Sequence, residues 1–208
     1  LGWGTCESLD WNLITVECDE ENSQGSVPDK PAYFDLEAAE TVKCTFTNRK
    51  ESALLVEKQT EPDGSTQLFD FTASYDADGF SLSDGQSNNS GPLVPGTYSV
   101  SENVPTGWDL TSQTCDDGSD PGNIDLGPGE TVRCLFVNQQ DANIIIVKQT
   151  LPDGNNTIFD FTSTYGTPFQ LGDGQSNDSG DLDPGQYTVS ETVPPGWMLT
   201  DLTCADPS

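Results

Sequence analysis

Lys58, Glu102 and Asn138 are polar residues within rows of side chains that are otherwise apolar. Alternate residues of a β-strand share one face, so a core-facing row is expected to be hydrophobic throughout. Each row on three predicted strands instead carries one polar residue at or near its end. The rows are Leu54, Val56 and Lys58; Tyr98, Val100, Glu102 and Val104; and Val132, Cys134, Phe136 and Asn138.

A lysine in such a row has two interpretations. In the first, Lys58 lies at a strand end, reaches solvent with its amine and pairs with a glutamate without covalent linkage. In the second, burial deprotonates the amine, which then forms an amide with the side chain of Asn138 inside the core. That reaction also needs a protonated carboxylic acid to polarise the carbonyl and move protons, and Glu102 is the candidate.

The same polar endings recur in two other segments of the chain. Lys148 follows Ile144 and Ile146, and it is the only basic residue in 141–208. Glu191 lies in the row Tyr187, Val189, Glu191 and Val193, and Asn48 ends the row Val42, Cys44, Phe46 and Asn48. The further candidates for the same chemistry are therefore Lys148, Glu191 and Asn48.

An internal repeat of about 90 residues explains this recurrence, and a unit of that length is the size of a small domain. ALLVEKQTEPDGSTQLFDFTASY returns as NIIIVKQTLPDGNNTIFDFTSTY, and FDLEAAETVKCTFTN matches IDLGPGETVRCLFVN. We therefore predict the last strands of a repeat in 1–52, a complete repeat in 53–140, and a repeat without its last strand in 141–208.

The complete repeat is predicted to be an all-β, immunoglobulin-like sandwich. Short apolar alternations are separated by turn sequences such as Pro62-Asp63-Gly64 and Pro128-Gly129. Strands are expected near 53–59, 67–75, 79–82, 97–104, 108–115 and 131–138.

The six cysteines point to disulfides rather than to zinc, because the chain has no His and no Cys-x-x-Cys pair. Disulfides indicate an oxidising compartment outside the cytoplasm. Repeat positions pair Cys115 with Cys134 and Cys18 with Cys44. Cys6 and Cys204 are then left as candidates for bonds between subunits.

The incomplete ends leave two assembly hypotheses open. Further repeats of the same chain would complete 141–208, or copies would join head to tail, with 34–48 of a neighbour as the missing strand. In the second case Lys148 would meet the neighbour's Asn48. Cys204 would then bond to the neighbour's Cys44, or to its Cys6 if Cys18–Cys44 stays within one copy.

The stretch GTYSVSENVPTGW resembles a segment of the Cna-B/SpaA-type prealbumin-like domains of bacterial surface adhesins and pilins. Lysine on the first strand and asparagine at the end of the last strand resemble the isopeptide partners of that family. The resemblance implies a Lys58–Asn138 isopeptide bond assisted by Glu102, on a protein located at the cell surface. The added cysteine pair of this sequence departs from the common pattern.

Charge excludes several partners, because 7 basic residues stand against 35 acidic ones and the net charge is −28. Nucleic acid is not expected to bind, and no apolar run has membrane-spanning length. With no His and no nucleophile motif, we expect no enzyme acting on external substrates, only autocatalytic isopeptide formation.

These observations favour an extracellular structural protein, a stalk or filament subunit, without a cofactor. The alternative is an adhesin module that binds a ligand. Its candidate sites are the similar loops at 81–93 and 170–182, which contain an Asp-Gly-Gln-Ser sequence and could hold calcium or a glycan. Asp-Gly sequences are also ordinary turns, and the repetition of the loops favours a structural role.

Overall fold

The computed structural model describes residues 11–19, 24–25, 32–34 and 36–205. Within these residues every regular element is a β-strand and none is a helix, which confirms the predicted all-β class. No helix in this part of the chain is therefore long and apolar enough to cross a membrane.

Eighteen strands are formed in the described residues. In chain order they are β1 (Trp11–Cys18), β2 (Gln24–Gly25), β3 (Ala32–Tyr33), β4 (Cys44–Lys50), β5 (Ala53–Glu61), β6 (Phe69–Ala73), β7 (Asp76–Leu82), β8 (Ser87–Asn89), β9 (Gly96–Tyr98), β10 (Val100–Asn103), β11 (Trp108–Cys115), β12 (Ile124–Leu126), β13 (Thr131–Gln140), β14 (Ile145–Val147), β15 (Phe159–Ser163), β16 (Phe169–Leu171), β17 (Ser176–Asp178) and β18 (Val189–Thr192).

The segment from β5 to β13 folds as a sandwich. One sheet has the strand order β11-β13-β5-β8, the other has the order β10-β6-β7, and β12 pairs with β9. Phe71 of β6 meets Phe136 of β13 edge to face at 5.2 Å, so the two sheets share one core. Alternation along β5 and β13 buries every second residue, as expected for strands with one face in the core.

The first and last strands of this segment lie side by side. Ala53 donates a backbone hydrogen bond to Glu130 just before β13, and Lys58 contacts Asn138 further along both strands. Because the residue numbers rise together, β5 and β13 run in the same direction. This parallel pairing brings residues 80 positions apart in the sequence into contact.

Two details of the strand prediction need correction. The predicted strand 97–104 is divided between β9, which pairs with β12, and β10, which pairs with β6. The row through Tyr98, Val100, Glu102 and Val104 is therefore not continuous, and Val104 is exposed. β8 and β12 were not predicted, because each has only three residues, which is too short for an alternation to stand out.

The chain divides into two compact units, one formed by 1–105 with 110–138 and the other by 106–109 with 139–208. The second unit contains the sheet β16-β15-β18 and the pair β14-β17. Its core is a small cluster around Phe159, Phe161 and Leu171. The first unit also contains β1 and β4, which form a two-stranded antiparallel hairpin.

Candidate functional site

Lys58 lies on β5 with its whole side chain inside the sandwich, at 0% exposure. Its Nζ donates a hydrogen bond of 2.7 Å to the Asn138 Oδ1 and another of 2.6 Å to the Gln59 carbonyl. The same nitrogen lies 4.0 Å from the centroid of the Phe69 ring. Lysine and asparagine therefore meet in a dry environment, and neither reaches solvent.

Glu102 reaches this pair from the opposite sheet. Its strand, β10, pairs with β6, and its Oε1 lies 3.6 Å from the Lys58 Nζ, with both side chains fully buried. The Glu102 carboxyl group interacts with the side chains of both Lys58 and Asn138. The three predicted residues are thus brought together in one buried cluster.

Burial shifts both ionisable groups of this site toward their neutral forms. It lowers the pKa of Lys58 below its ordinary 10.5, although the nearby Glu102 acts in the opposite direction. Burial also raises the pKa of Glu102 above its ordinary 4.5, against the effect of Lys58. An apolar interior penalises charge, so it favours a free amine beside a carboxylic acid.

These protonation states suit amide formation. A free amine at Lys58 is a nucleophile, and a hydrogen bond to Oδ1 holds it close to the adjoining Asn138 Cγ, near the separation of about 3–3.5 Å that precedes attack. A neutral Glu102 could polarise the carbonyl and transfer protons. The leaving group would be the Nδ2 of Asn138, which would depart as ammonia.

The second unit contains the corresponding lysine and glutamate in a more open setting. The Lys148 Nζ lies 2.8 Å from the Glu191 Oε1, with side-chain exposures of 13% and 10%. The ring of Phe159 lies 4.2 Å below the amine, as Phe69 does below Lys58. In the described part of this unit no asparagine contacts Lys148, and a cavity of about 80 Å³ adjoins the pair.

Asn48, the predicted partner of Lys148, belongs to the first unit. It lies on β4 opposite Leu13 of β1, and its side chain is exposed. The structure therefore shows Asn48 as an available side chain and does not pair it with a lysine.

The structure contains two disulfides among the described cysteines. Cys115–Cys134 joins β11 to β13, and Cys18–Cys44 joins β1 to β4. In this structure Cys44 is bonded to Cys18, so the alternative bond between Cys204 and a neighbour's Cys44 would require this disulfide to open, and it stays a prediction. Cys204 is an exposed free thiol.

The other candidate for a bond between subunits, Cys6, lies outside the described residues. Its predicted role therefore stays a prediction.

The Asp-Gly-Gln-Ser loops have a structural task that the sequence analysis missed. Asp84 accepts backbone hydrogen bonds from Thr60 and Gly64, one on each carboxylate oxygen. Asp173 does the same in the second unit with Thr150 and Gly154. These hydrogen bonds hold the pKa of both aspartates below the ordinary range. The repetition of the loop sequence in both copies was the feature from which this structural role could have been predicted.

A cluster of carboxylates in the second unit was also missed. Ligand oxygens of Asp109, Asp141 and Asp183 lie within 4.8 Å of one another. Desolvation and the neighbouring negative charges raise the pKa of Asp141. The three residues are far apart in sequence and outside the predicted calcium loops, so no motif pointed to them.

Comparison with known proteins identifies the fold of the first repeat. Residues 54–140 match the model of the SpaA-type prealbumin-like fold domain. The resemblance predicted from the sequence is thus confirmed for this segment. No curated protein matches the sequence.

Two solved structures are similar to the chain at low identity. The Bacillus anthracis TIE protein matches with 18% identity and a TM-score of 0.34, over 95% of this chain and 45% of that chain. The C-terminal fragment of the pilus adhesin SpaC from Lactobacillus rhamnosus GG matches with 15% identity and a TM-score of 0.29, over 73% of this chain and 78% of that fragment. The chain therefore spans less than half the length of the first of these proteins.

Proposed function

We propose that this chain is an extracellular structural protein, a stalk or filament subunit built of covalently cross-linked β-sandwich repeats. The observation that carries the proposal is the enclosed contact of Lys58 with Asn138 and Glu102. The proposed role of this site is to join the first and last strands of the repeat by an amide bond, and no external substrate is involved.

The burial of an ionisable pair favours a covalent bond over a non-covalent triad. Burial penalises the charged forms of both Lys58 and Glu102, and a buried charge is costly even when it is paired. Amide formation removes the Nδ2 as ammonia and replaces the buried amine with an uncharged N–H. That N–H can donate to Glu102, so the reaction would remove the buried ionisable amine and still leave a hydrogen-bond donor for the acid.

The disulfides support an extracellular location, since such bonds persist in oxidising compartments. A net charge of −28 suits a protein that remains dispersed in an aqueous medium.

A ligand-binding adhesin module receives less support. The aspartates of the two candidate loops already use both carboxylate oxygens to hold backbone amides. A calcium ion at these positions would compete with the hydrogen bonds that shape the loops.

Intact-mass measurement after full reduction of the disulfides tests the proposal. We expect the natural chain to be lighter than its sequence mass by at least one ammonia molecule, with Lys58 and Asn138 in one branched peptide. Asn138→Ala should lack that peptide, whereas the matched variant Asn103→Ala on the exposed side of β10 should keep it. Separate linear peptides for Lys58 and Asn138 in the natural chain would overturn the proposal.

A further inference from the structure

The Asp-Gly-Gln-Ser loop of the first repeat lies directly beside Lys58, although the proposed reaction does not use it. The regular pairing of β5 with β8 ends one residue before the lysine. From there the loop continues the pairing. Gln86 accepts a backbone hydrogen bond of 3.0 Å from the Lys58 N–H, and Gly85 donates one of 2.9 Å to the Lys58 carbonyl. Both backbone groups of the lysine are therefore held by this loop.

The loop is also closed on itself. The Gln86 N–H donates a backbone hydrogen bond of 3.1 Å to Ser83, and the Ser83 N–H donates one of 2.9 Å to the Gln86 Oε1. Gly85 has a φ of +71°, in the left-handed region that glycine adopts without strain. The glycine and the glutamine of the motif thus fix the shape of the turn that presents Asp84.

Asp84 extends the contact to the residues that follow the lysine. One carboxylate oxygen accepts a hydrogen bond of 2.6 Å from the Thr60 N–H, and the other accepts one of 2.8 Å from the Gly64 N–H. Hydrogen bonds to an ionised carboxylate are roughly twice as strong as those between neutral groups. Thr60 is buried, so water is a poor alternative partner for its amide. Asp84 is therefore the acceptor on which this amide depends.

The peptide group between Gln59 and Thr60 links Asp84 to the lysine side chain. A peptide group is planar, and in its trans form the N–H and the C=O point in opposite directions. Fixing the Thr60 N–H therefore also fixes the direction of the Gln59 carbonyl. That carbonyl accepts the hydrogen bond of 2.6 Å from the Lys58 Nζ. The carboxylate and the amine are thus bound to the two sides of one rigid group.

The lysine amine benefits from such a support, because it ends a flexible four-carbon stem. Attack on an amide requires aligned atoms about 3–3.5 Å apart, and a misplacement of about 1 Å can slow a reaction about 100-fold. In the structure the Lys58 Nζ bonds the Gln59 carbonyl and the Asn138 Oδ1 at the same time. The carbonyl therefore restricts the amine to positions from which it can reach the asparagine.

The second unit has the same set of bonds around Lys148. Both backbone groups of this lysine bond residues 174–175, at 2.8 and 2.9 Å. Asp173 accepts hydrogen bonds of 2.6 Å from the Thr150 amide and 2.8 Å from the Gly154 amide. The loop therefore holds the corresponding lysine in each copy, and this arrangement belongs to the repeat and not to one loop alone.

We infer that Asp84 is a positioning residue for the proposed amide bond, because it holds the peptide group that in turn holds the Lys58 amine against Asn138. The inference rests on the proposed function and gives the Asp-Gly-Gln-Ser loop a part in it. In this role Asp84 contributes no reacting atom. Its removal should slow the formation of the bond and leave the reacting groups in place.

The rate of bond formation during refolding tests the inference. Unfolded chain from inclusion bodies is diluted from denaturant, the loss of ammonia is followed by intact mass after reduction, and tryptophan fluorescence gives the folded fraction. Per folded molecule, Asp84→Ala should form the bond about 10- to 100-fold more slowly than the natural chain. The matched control is Asp117→Ala, since Asp117 accepts two hydrogen bonds from Ser119 in the turn after β11. The control should keep the natural rate.

A conservative variant should rescue most of the rate. Asp84→Asn keeps one oxygen acceptor. That oxygen should serve the buried Thr60 amide, because an unsatisfied buried amide is costly and the exposed Gly64 amide can bond water instead. We therefore expect Asp84→Asn to form the bond faster than Asp84→Ala and nearly as fast as the natural chain.

Acetylation of the lysine gives a second readout that does not depend on the reaction. In the Glu102→Gln background the Lys58 amine stays free, and its labelling by a short pulse of acetic anhydride reports local opening around it. Adding Asp84→Ala should raise the labelled fraction of Lys58 in folded protein. Adding Asp117→Ala should leave this fraction unchanged.

The outcomes separate this inference from the proposed function. Linear Lys58 and Asn138 peptides in the natural chain would overturn both. If the natural chain carries the bond, a natural rate in Asp84→Ala would overturn the inference alone. The same holds for equal slowing in Asp117→Ala, for Asp84→Asn no faster than Asp84→Ala, and for unchanged labelling of Lys58.

Discussion

The Lys58 amine lies 2.7 Å from the side-chain oxygen of Asn138, and neither side chain is exposed to solvent. The two residues stand on the first and last strands of one repeat, which are neighbours in the same sheet. A bond between them would close the repeat at the point where its beginning and its end meet.

Replacing the carboxyl group of Glu102 by an amide of nearly the same volume should stop the formation of this bond. In Glu102→Gln the amide cannot relay protons, so we expect linear peptides for Lys58 and Asn138 and no loss of ammonia at this site. Glu57→Gln is the control, because Glu57 is half-buried and pairs with Arg133 away from the site. Cross-linking in Glu102→Gln at the natural rate would show that the carboxylic acid is not needed.

The pH dependence of stability should have opposite signs in two variants that cannot cross-link. In Lys58→Met, burial keeps the folded-state pKa of Glu102 above 4.5, so the folded state holds the proton longer. Stability is then greatest below 4.5 and falls as pH rises through the folded-state pKa.

In Glu102→Gln, the folded-state pKa of Lys58 lies below 10.5, so the unfolded state binds more protons. Stability should rise with pH toward 10.5, by at most about 1.4 kcal/mol per pH unit. Chemical denaturation measures both slopes relative to the double variant Lys58→Met/Glu102→Gln, which cancels the contribution of the surface carboxylates. Equal slopes in the two single variants would contradict the assignment.

Removing the buried disulfide should loosen the sheet that holds Asn138. The loop closed by Cys115–Cys134 spans 19 positions, which corresponds to about 3 kcal/mol in the chain-entropy model. Hydrogen exchange of the β13 amides should therefore accelerate in Cys115→Ala/Cys134→Ala. The matched variant Cys18→Ala/Cys44→Ala should leave these amides protected, and equal acceleration in both would contradict the prediction.

Two phenylalanines at equivalent repeat positions should differ strongly in their contribution to stability. Phe136→Ala creates a cavity in the core and should cost about 3–5 kcal/mol. Phe46→Ala removes a half-exposed ring and should change the free energy of unfolding by about 0.5 kcal/mol or less in the monomer. Chemical denaturation of the two variants measures both changes in the free energy of unfolding.

Periodicity predicted the burial of Lys58 and Asn138 because both strands follow a regular alternation throughout their length. The same reasoning was incomplete for 97–104, where the chain passes from β9 to β10 and changes its pairing partner. The alternation of apolar and polar residues carries no information about such a change, because the change of pairing partner depends on the positions of β6 and β12. Glu102 was nevertheless placed correctly, since it lies two residues after the buried Val100.

Contacts between segments that are distant in the sequence could not be predicted. The loop around Asp84 was predicted as a candidate site for calcium or a glycan, which stays a prediction. In the structure the two carboxylate oxygens of Asp84 accept hydrogen bonds from the backbone amides of Thr60 and Gly64, 24 and 20 residues earlier. The carboxylate cluster at Asp109, Asp141 and Asp183 likewise arises from distant segments. Single residues on turns give no local pattern from which such contacts can be predicted.

The parallel arrangement of β5 and β13 has a mechanical consequence. A pull on the two ends of the repeat would act along these neighbouring strands in opposite directions and shear them. With the proposed amide in place, tension would pass through the Lys58–Asn138 bond and bypass the 80 sequence positions between them. The loop that contains Cys115–Cys134 would bear no load, so a row of such repeats would resist extension even when a sheet is disturbed.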